Sequence, residues 1–233
     1  MQRVDAQEIL DSDGCSARDV AGALTVLGRI NRWFGGVSTT RKMIEQVARE
    51  TGAKNLSLLE VAAGRGEVPE QVRGDLARNG ITLDVTLLDR APSHLPGSNG
   101  TGENCAPACP RLVANALALP FGEGAFDLVS CGLFAHHLNA PQLAEFVREG
   151  LRVSRRALLI NDLIRHPAHL ALVYASFPLM RNRVAWLDGL TSVRRAYVPG
   201  EIRNVLASAF SPEPRAEISI NYLFRLGVFV WMG

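Results

Sequence analysis

Hydrophobic and polar positions follow two patterns along the chain: short apolar runs, and stretches with apolar residues at helical spacing. Five apolar runs predict strands, at 56–61, 82–88, 112–114, 126–131 and 157–161. Helices are predicted within 17–50 and at 68–78, 141–151 and 199–210. Residues 157–160 are apolar at every position, which is typical of a parallel strand covered on both faces. Strands that alternate with helices predict an α/β fold.

The two ends of the chain carry further structural signals. Gly35-Gly36 interrupts the first helical stretch, and Ser38-Thr39-Thr40 predicts the N-cap of a second helix. Two short apolar runs near the C-terminus, at 218–220 and 227–231, are joined by a brief link and predict a β-hairpin. Residues 163–195 predict a long insertion of helices and loops after the fifth strand.

A glycine-bearing turn between the first strand and its helix is the strongest chemical signal. Gly64 and Gly66 lack a Cβ, so the backbone there can approach a ligand and adopt positive φ. Glu60 stands near the end of the first strand and Asp89 follows the second. Acids at strand ends beside such a turn are typical of a nucleotide-type site, although the same acids also serve as helix caps. Pro69 occupies the third glycine position of G-x-G-x-x-G, which separates this turn from the dinucleotide motif.

The stretch Glu60–Gly66 resembles the first motif of class I S-adenosylmethionine (SAM) methyltransferases, E/D-x-G-x-G-x-G. Ala62 replaces the first glycine, and we expect it to need ordinary φ and ψ values. The resemblance implies that Glu60 organises the turn and the amino-acid end of the cofactor. It also implies that Asp89 accepts hydrogen bonds from both ribose hydroxyls.

A second stretch, Asn115–Phe121 followed by Phe126–Val129, resembles the G-D-A-x-x-L-P-F … F-D-x-V signature of ubiquinone/menaquinone-biosynthesis (type 11) methyltransferases. The resemblance implies that the Asn115 amide oxygen accepts from adenine N6 and that Ala116 N–H donates to an adenine ring nitrogen. Together the two motifs imply a set of cofactor-binding residues: Glu60, Ala62, Gly64, Gly66, Asp89, Arg90, Asn115, Ala116 and Leu133.

Two adjacent histidines follow the fourth strand, where the family often places a histidine facing the transferred methyl group. By this resemblance His137 is the first candidate to take a proton from a phenol or enol, with His136 and Asp162 as further catalytic candidates. The alternative is a histidine at a helix entry that bonds to backbone. A further alternative is a divalent ion held by His137, Asn161 and Asp162. The ligand set of catechol methyltransferases is not reproduced, so no metal is predicted.

The resemblance covers about residues 20–210 and points to a bacterial subgroup associated with polyketide or quinone-like pathways. It implies a helical cap over residues 1–50 and a SAM-binding core over 51–233, with a substrate-covering insertion at about 163–198. Four residues of the covering segments are implied to contact substrate: Asn31, Arg165, Trp186 and Tyr197. Core packing is the alternative for each of the aromatic residues.

Composition and charge restrict the kinds of molecule that the chain is expected to bind. A chain of 233 residues, 47% of them hydrophobic, can bury one core. The net charge of +2 is too weak, and the arginines too scattered, to predict a nucleic-acid partner. The N-terminus lacks the pattern of a signal peptide, and no apolar run approaches the roughly 18 residues of a membrane span. We expect a cytoplasmic monomer or homodimer.

Cys105 and Cys109 lack the further ligands of a zinc site and predict no disulfide in a reducing compartment.

The sequence therefore predicts a Rossmann-like class I methyltransferase fold, with a seven-stranded, mostly parallel sheet, a terminal β-hairpin and an N-terminal helical cover. The resemblance implies SAM-dependent methyl transfer to oxygen or carbon of a small aromatic, polyketide or quinone-like acceptor, with S-adenosylhomocysteine (SAH) as product. Two alternatives stay open: a SAM-binding protein without transfer activity, and an NAD(P)-dependent oxidoreductase.

Overall fold

A single sheet forms the centre of the protein. The computed structural model describes residues 1–9, 17–92, 95, 109–180 and 182–232. Within these residues the strands are β1 (Asn55–Val61), β2 (Thr82–Asp89), β3 (Arg111–Val113), β4 (Phe126–Gly132), β5 (Ser154–Leu163), β6 (Ala216–Asn221) and β7 (Arg225–Trp231). They form a seven-stranded sheet in the order β3-β2-β1-β4-β5-β7-β6. Strand β7 is antiparallel to β5 and β6, and the other neighbouring pairs are parallel. The predicted mostly parallel sheet with a terminal hairpin is confirmed.

The strand order also bears on the oxidoreductase alternative. Dinucleotide-binding folds have the order 3-2-1-4-5-6. Here an antiparallel β7 is inserted between β5 and β6. This order is unlike that of the dinucleotide fold and argues against the NAD(P)-dependent alternative.

Helices lie on both faces of the sheet, and the first two of them come before β1 in the chain. They are α1 (Ala17–Trp33), α2 (Gly36–Thr51), α3 (Glu67–Arg78), α4 (Ala140–Val153), α5 (Pro167–Ala175), α6 (Phe177–Met180), α7 (Arg183–Arg195) and α8 (Pro199–Ala209). Helices α1 and α2 confirm the predicted N-terminal helices. Helices α5, α6 and α7 form the insertion that follows β5.

The predicted cap of α2 is wrong. The helix begins at Gly36, its N-cap is Gly35 with φ +83°, and no side chain caps it. Gly36 packs so closely on the preceding helix that a Cβ there would lie 2.6 Å from the Asn31 carbonyl oxygen. This contact sets the start of α2, so Ser38 and its neighbours fall inside the first helical turns.

The hydrophobic residues of each strand alternate between two cores, one on each face of the sheet. In β5, Leu158 and Ile160 face the core beneath α4 and α8, whereas Ala157 and Leu159 face the core beneath α2 and α3. All four are at most 2% exposed. This double burial explains why the strand is apolar at consecutive positions.

The strand register brings the carboxyl ends of the parallel strands to one edge. Val61 of β1 pairs with Leu88 of β2 and Cys131 of β4. Leu88 in turn pairs with Leu112 of β3, and Cys131 with Ile160 of β5. Open α/β sheets bind ligands at this edge, so the loops that follow these strands are where a site is expected.

The predictions about Cys105, Cys109 and membrane spans can be compared with the structure only over the residues that it describes. Most of the segment 92–110, including Cys105, lies outside the described residues, whereas Cys109 is described and buried at 4% exposure. Its Sγ accepts a hydrogen bond from Arg73 Nη1 at 3.5 Å. Within the described part of the chain, the helices are too short or too polar to cross a bilayer.

Asp127, at the start of β4, joins three strands. One carboxylate oxygen accepts hydrogen bonds from Ser57 N–H and Ser57 Oγ–H, both at 2.9 Å. The other oxygen accepts from Arg156 Nε at 3.1 Å. Burial by itself raises the pKa of the Asp127 carboxyl, but these donors outweigh burial and hold it below its ordinary value. The residue therefore has a structural role.

We expect Asp127→Ala to lower the free energy of unfolding by about 1–3 kcal/mol, because the Ser57 N–H loses its acceptor. Urea denaturation at pH 7 measures the change. Asp84→Ala is the matched control, because Asp84 is an exposed strand residue and its loss should cost less than about 0.5 kcal/mol. Equal losses in the two variants would contradict the structural role of Asp127.

Candidate active site

The turn after β1 is built on backbone in the left-handed region. Ala62, Gly64 and Gly66 have φ values of +54°, +53° and +76°. The expectation that Ala62 keeps ordinary backbone angles is therefore wrong. The chain must reverse here, and the reversal is fixed by the Ala63 N–H, which donates to Leu88 O at 3.0 Å. Alanine has the smallest side chain after glycine, so the left-handed conformation costs it roughly 1–2 kcal/mol.

Asp89 holds this turn against the second strand. Its buried carboxylate accepts from Gly64 N–H at 2.9 Å through one oxygen and from Ala91 N–H at 3.0 Å through the other. Arg90, between the two bonded segments, is exposed. A carboxylate has about four acceptor sites, so these two bonds are compatible with further hydrogen bonds to ribose hydroxyls.

Glu60 is a buried acid at the end of β1. It is 4% exposed and accepts a hydrogen bond from Ser130 Oγ of β4. Burial raises the pKa of its carboxyl to about 7, and the Ser130 bond offsets only part of that effect. Ser130 was missed from the sequence, although a hydroxyl inside the apolar run of β4 was a usable signal.

The loops after β3 and β4 complete this half of the site. Asn115 is exposed, and its Oδ1 accepts from Leu117 N–H at 3.0 Å, while Ala116 is buried. Leu133 follows β4 with φ +54°, and its N–H donates to Asn161 O at 2.9 Å.

The nine predicted cofactor residues all lie on loops or strand ends at the carboxyl edge of β1 to β4. Adjacent strand ends are linked directly: Ala114 N–H donates to Asp89 O at 3.1 Å, and a Cβ on Gly132 would lie 3.7 Å from Glu60 Oε1. Their contacts with a cofactor stay predictions.

The histidine pair forms a short 3-10 helix, Ala135–His137, beyond β4. His136 is 2% exposed. Its ring Nδ1 lies 2.7 Å from Asp162 Oδ1, and its backbone N–H donates to Asp162 Oδ2 at 2.9 Å. Burial lowers the pKa of His136, but Asp162 and Glu8 outweigh burial and raise it to about 9. The same pairing holds the pKa of Asp162 below its ordinary value, although burial raises it.

Glu8, which sequence reasoning missed, reaches the same pair. Its Oε1 lies 3.3 Å from His136 Nε2, and its Oε2 lies 3.8 Å from His137 Nε2. The two imidazole rings are 4.3 Å apart between centroids, and the His137 side chain retains 24% of its exposure. No periodic pattern marks the segment that carries Glu8, so the sequence offered no signal for it.

The same three side chains have the donor types of a metal site. Glu8, His136 and His137 each place one potential ligand atom within 4.8 Å of the others. Ion pairing accounts for the contacts of His136, so the arrangement does not require an ion. In the other set considered from the sequence, His137, Asn161 and Asp162, the Asn161 amide N–H groups donate to Gly36 O and Thr40 Oγ1, both at 2.9 Å. The absence of a metal stays a prediction.

Tyr197, one of the four predicted substrate residues, bonds to the residue that follows the histidine pair. Tyr197 is buried, and its hydroxyl donates to Leu138 O at 2.8 Å. Arg165 is also buried, and its guanidinium donates to Glu201 Oε1 at 2.5 Å and to Ala196 O at 2.8 Å. Both polar groups are therefore bonded within the chain.

The other two lie apart from the pair. Asn31 Oδ1 accepts from Arg225 Nη2 at 2.6 Å, beneath the terminal hairpin. Trp186 packs against α5, where its Nε1–H donates to Val173 O at 3.0 Å. The structure thus does not bring the four residues into one cluster, and their substrate contacts stay predictions.

The sequence is similar to those of known proteins. Residues 59–157 match the family model described as a methyltransferase domain. Over 200 residues the chain is 26% identical to a demethylmenaquinone methyltransferase of Renibacterium salmoninarum, which covers 84% of this chain and 75% of that protein. The match identifies residues 59–157 as a methyltransferase domain, and the similarity to a known methyltransferase supports the same activity for this chain.

Solved methyltransferases share the fold. A plantazolicin methyltransferase, in complex with SAH and a triazolic substrate analogue, has a TM-score of 0.71 at 12% identity. That match covers 96% of this chain and 93% of the solved one. A SAM-dependent methyltransferase from Aquifex aeolicus has a TM-score of 0.52 at 16% identity, covering 81% and 89% of the two chains. At these identities the comparison supports the fold.

The glycine turn of this methyltransferase gives a paired prediction. A Cβ at Gly66 would lie 2.4 Å from Leu87 Cδ1, whereas a Cβ at Gly64 meets nothing within 4 Å. Both residues have positive φ. We expect Gly64→Ala to lower the free energy of unfolding by roughly 1–2 kcal/mol through backbone strain alone. Gly66→Ala should cost about 1–3 kcal/mol more because of the clash. Urea titration of both variants measures the difference, and equal losses would contradict it.

Glu60 gives the methyltransferase a pH-dependent stability. The pKa of its carboxyl is about 7 in the folded chain and 4.5 ordinarily, so folding holds the proton more tightly. Stability from this group is therefore lost as pH rises from 4.5 to about 7. We expect Glu60→Gln to remove this loss, which is on the order of 3 kcal/mol. The difference in unfolding free energy between the variant and wild type should therefore be more favourable to the variant at pH 8 than at pH 5.

Urea unfolding at the two pH values measures the Glu60 effect. Glu213→Gln is the control, because Glu213 is exposed and its removal should not alter the pH dependence. An unchanged pH dependence in Glu60→Gln would contradict the prediction.

Proposed function

We propose that this methyltransferase transfers the methyl group of SAM to oxygen or carbon of a small aromatic, polyketide or quinone-like acceptor. The observation that carries the proposal is the convergence of the glycine turn and two strand-end acids on the edge that also holds the histidine pair. The similarity to a demethylmenaquinone methyltransferase supports a quinone-like acceptor. Together these features favour an enzyme over a SAM-binding protein without transfer activity.

The residues at the carboxyl edge fit the donor. Gly64 has open space where a side chain would stand, and Asp89 beside it suits ribose hydroxyls. Glu60 is a buried acid that an adjacent ammonium group would hold in its charged form. Asn115 and Ala116 suit the adenine edge. The sulfonium of bound SAM supplies the methyl group.

The two histidines have different roles in the proposed reaction. His136, held between two carboxylates, is an imidazolium at neutral pH and acts as a positioning charge. His137 is more exposed and is the candidate base. His137 would take the acceptor's proton as the acceptor oxygen or carbon forms its bond to the methyl group, which bound SAM would supply by breaking its carbon–sulfur bond and becoming the neutral thioether SAH. Asp162 fixes the ring of His136 and hence the 3-10 helix.

The segments around the histidine pair favour a small acceptor. We propose that residues 1–50 are a helical cap and that the insertion at about 163–198 is a cover over the core at 51–233. Tyr197, from the insertion, bonds to Leu138 O just after the pair, and Arg165 bonds to Ala196 O next to Tyr197. A closed cover excludes water and limits the acceptor to a small molecule.

We expect SAM and SAH to bind in calorimetric titrations. Asp89→Asn should weaken both at least tenfold, since one carboxylate oxygen that serves the turn and the ribose is lost. Asp84→Asn is the matched control on the exposed side of the same strand. Wild-type protein that binds neither compound would contradict the proposal.

Transfer is then measured by mass spectrometry with phenols, enols and quinols as acceptors. A mass increase of one methyl group with stoichiometric SAH supports the proposal. Tight SAM binding without transfer to any acceptor would favour the binding-protein alternative.

A further inference from the structure

The first nine residues pack across the histidine pair and are bonded along their length. Arg3 Nη2 donates to His136 O at 3.0 Å and to Leu138 O at 2.8 Å. The Arg3 guanidinium also lies 4.2 Å from the centre of the Tyr197 ring. Further on, Ile9 N–H donates to Asp188 Oδ1 at 2.7 Å. We call residues 1–9 the N-terminal strap.

Glu8 is the residue of the strap that reaches the pair. It is 8% exposed, and its Oε1 accepts from Ser192 Oγ at 2.7 Å. Burial alone raises the pKa of the Glu8 carboxyl, but the two histidines and Ser192 outweigh burial and hold it below its ordinary value. A carboxylate this deeply buried is costly unless it is paired, so the contacts with the histidines are what make its position favourable.

The two oxygens of Glu8 divide between the two rings. Oε1 lies in ion-pair contact with His136 Nε2 without hydrogen-bond geometry, and the other ring nitrogen is hydrogen-bonded to Asp162, so a carboxylate lies on each side of this ring. Oε2 faces His137 Nε2. A base that takes a proton becomes positively charged, and a carboxylate 3.8 Å away in a partly buried site stabilises that charge.

We propose that Glu8 is a positioning residue for methyl transfer, orienting the histidine pair and stabilising the charge that His137 gains, and that the N-terminal strap must be seated for transfer to occur. This inference rests on the proposed function. It adds to the catalytic region a residue far from the motifs in sequence. Seating the strap also closes the side of the site formed by α7 and Tyr197, so acceptor entry and assembly of the base are coupled.

The test compares Glu8→Gln with Asp5→Asn in the full chain. Both substitutions remove one acid from the strap, but Asp5 is exposed. We expect Glu8→Gln to lower kcat at least tenfold, with KM and the SAM dissociation constant changed less than threefold. Asp5→Asn should match wild type within twofold.

A second measurement needs no acceptor. Nuclear magnetic resonance of the histidine rings follows the titration of His136, which should move to lower pH in Glu8→Gln and stay unchanged in Asp5→Asn. Unchanged ring titration together with unchanged kcat would overturn the proposal. So would an equal loss of SAM affinity and kcat, which would make the strap a cofactor cover. Activity abolished by a chelator and restored by a divalent ion would make Glu8 a metal ligand instead.

The two proposals fail in different ways. If wild type binds SAM but methylates no acceptor, the proposed function fails, while the ring titration still tests the contact between Glu8 and the pair. If wild type transfers methyl groups and Glu8→Gln does so equally well, the function stands and the role of Glu8 is rejected.

Discussion

The cofactor half of this site depends on one buried carboxylate. Asp89 ends β2, and its two oxygens accept from Gly64 N–H in the turn after β1 and from Ala91 N–H in its own loop. Its carbonyl accepts from Ala114 N–H, which adds the end of β3. Because these three strands are parallel, fixing their ends together brings three loops to one edge. The same acid therefore shapes the turn and is the residue that we propose to bind the ribose.

The acceptor half depends on buried charge. His136 lies between Asp162 and Glu8, and none of the three is stable at such burial without the others. Two arginines also bond to the backbone carbonyls of the histidine pair. Arg3 donates to His136 O, and Arg195 donates to His137 O at 2.9 Å. The short 3-10 helix is thus held by side chains from β5, α7 and the N-terminal strap. Removing one of these groups leaves its partner buried and unpaired, which is why substitutions here are expected to act on each other.

The local sequence pattern predicted most of the fold. Strands, helices and the glycine turn each produce a signal in residues that are close together in the sequence. Where the prediction failed, a tertiary contact overrode a local preference. Ala62 takes a positive φ because the reversal between β1 and β2 requires it, whatever alanine prefers. The start of α2 is set by the close packing of Gly36 on Asn31 rather than by a capping side chain. Both outcomes depend on residues that only the folded chain brings together.

The histidine pair shows the same limit at the site itself. Its position after β4 was predicted from the motif, but Glu8 lies in a polar segment without periodicity and meets the pair only after folding. The methyltransferase-domain match spans 59–157, whereas the strap, α7 and Tyr197 lie outside it. Several groups that surround the pair therefore come from parts of the chain outside that match. It follows that the donor can be inferred from motifs, while choice of acceptor must be sought in the strap and the insertion.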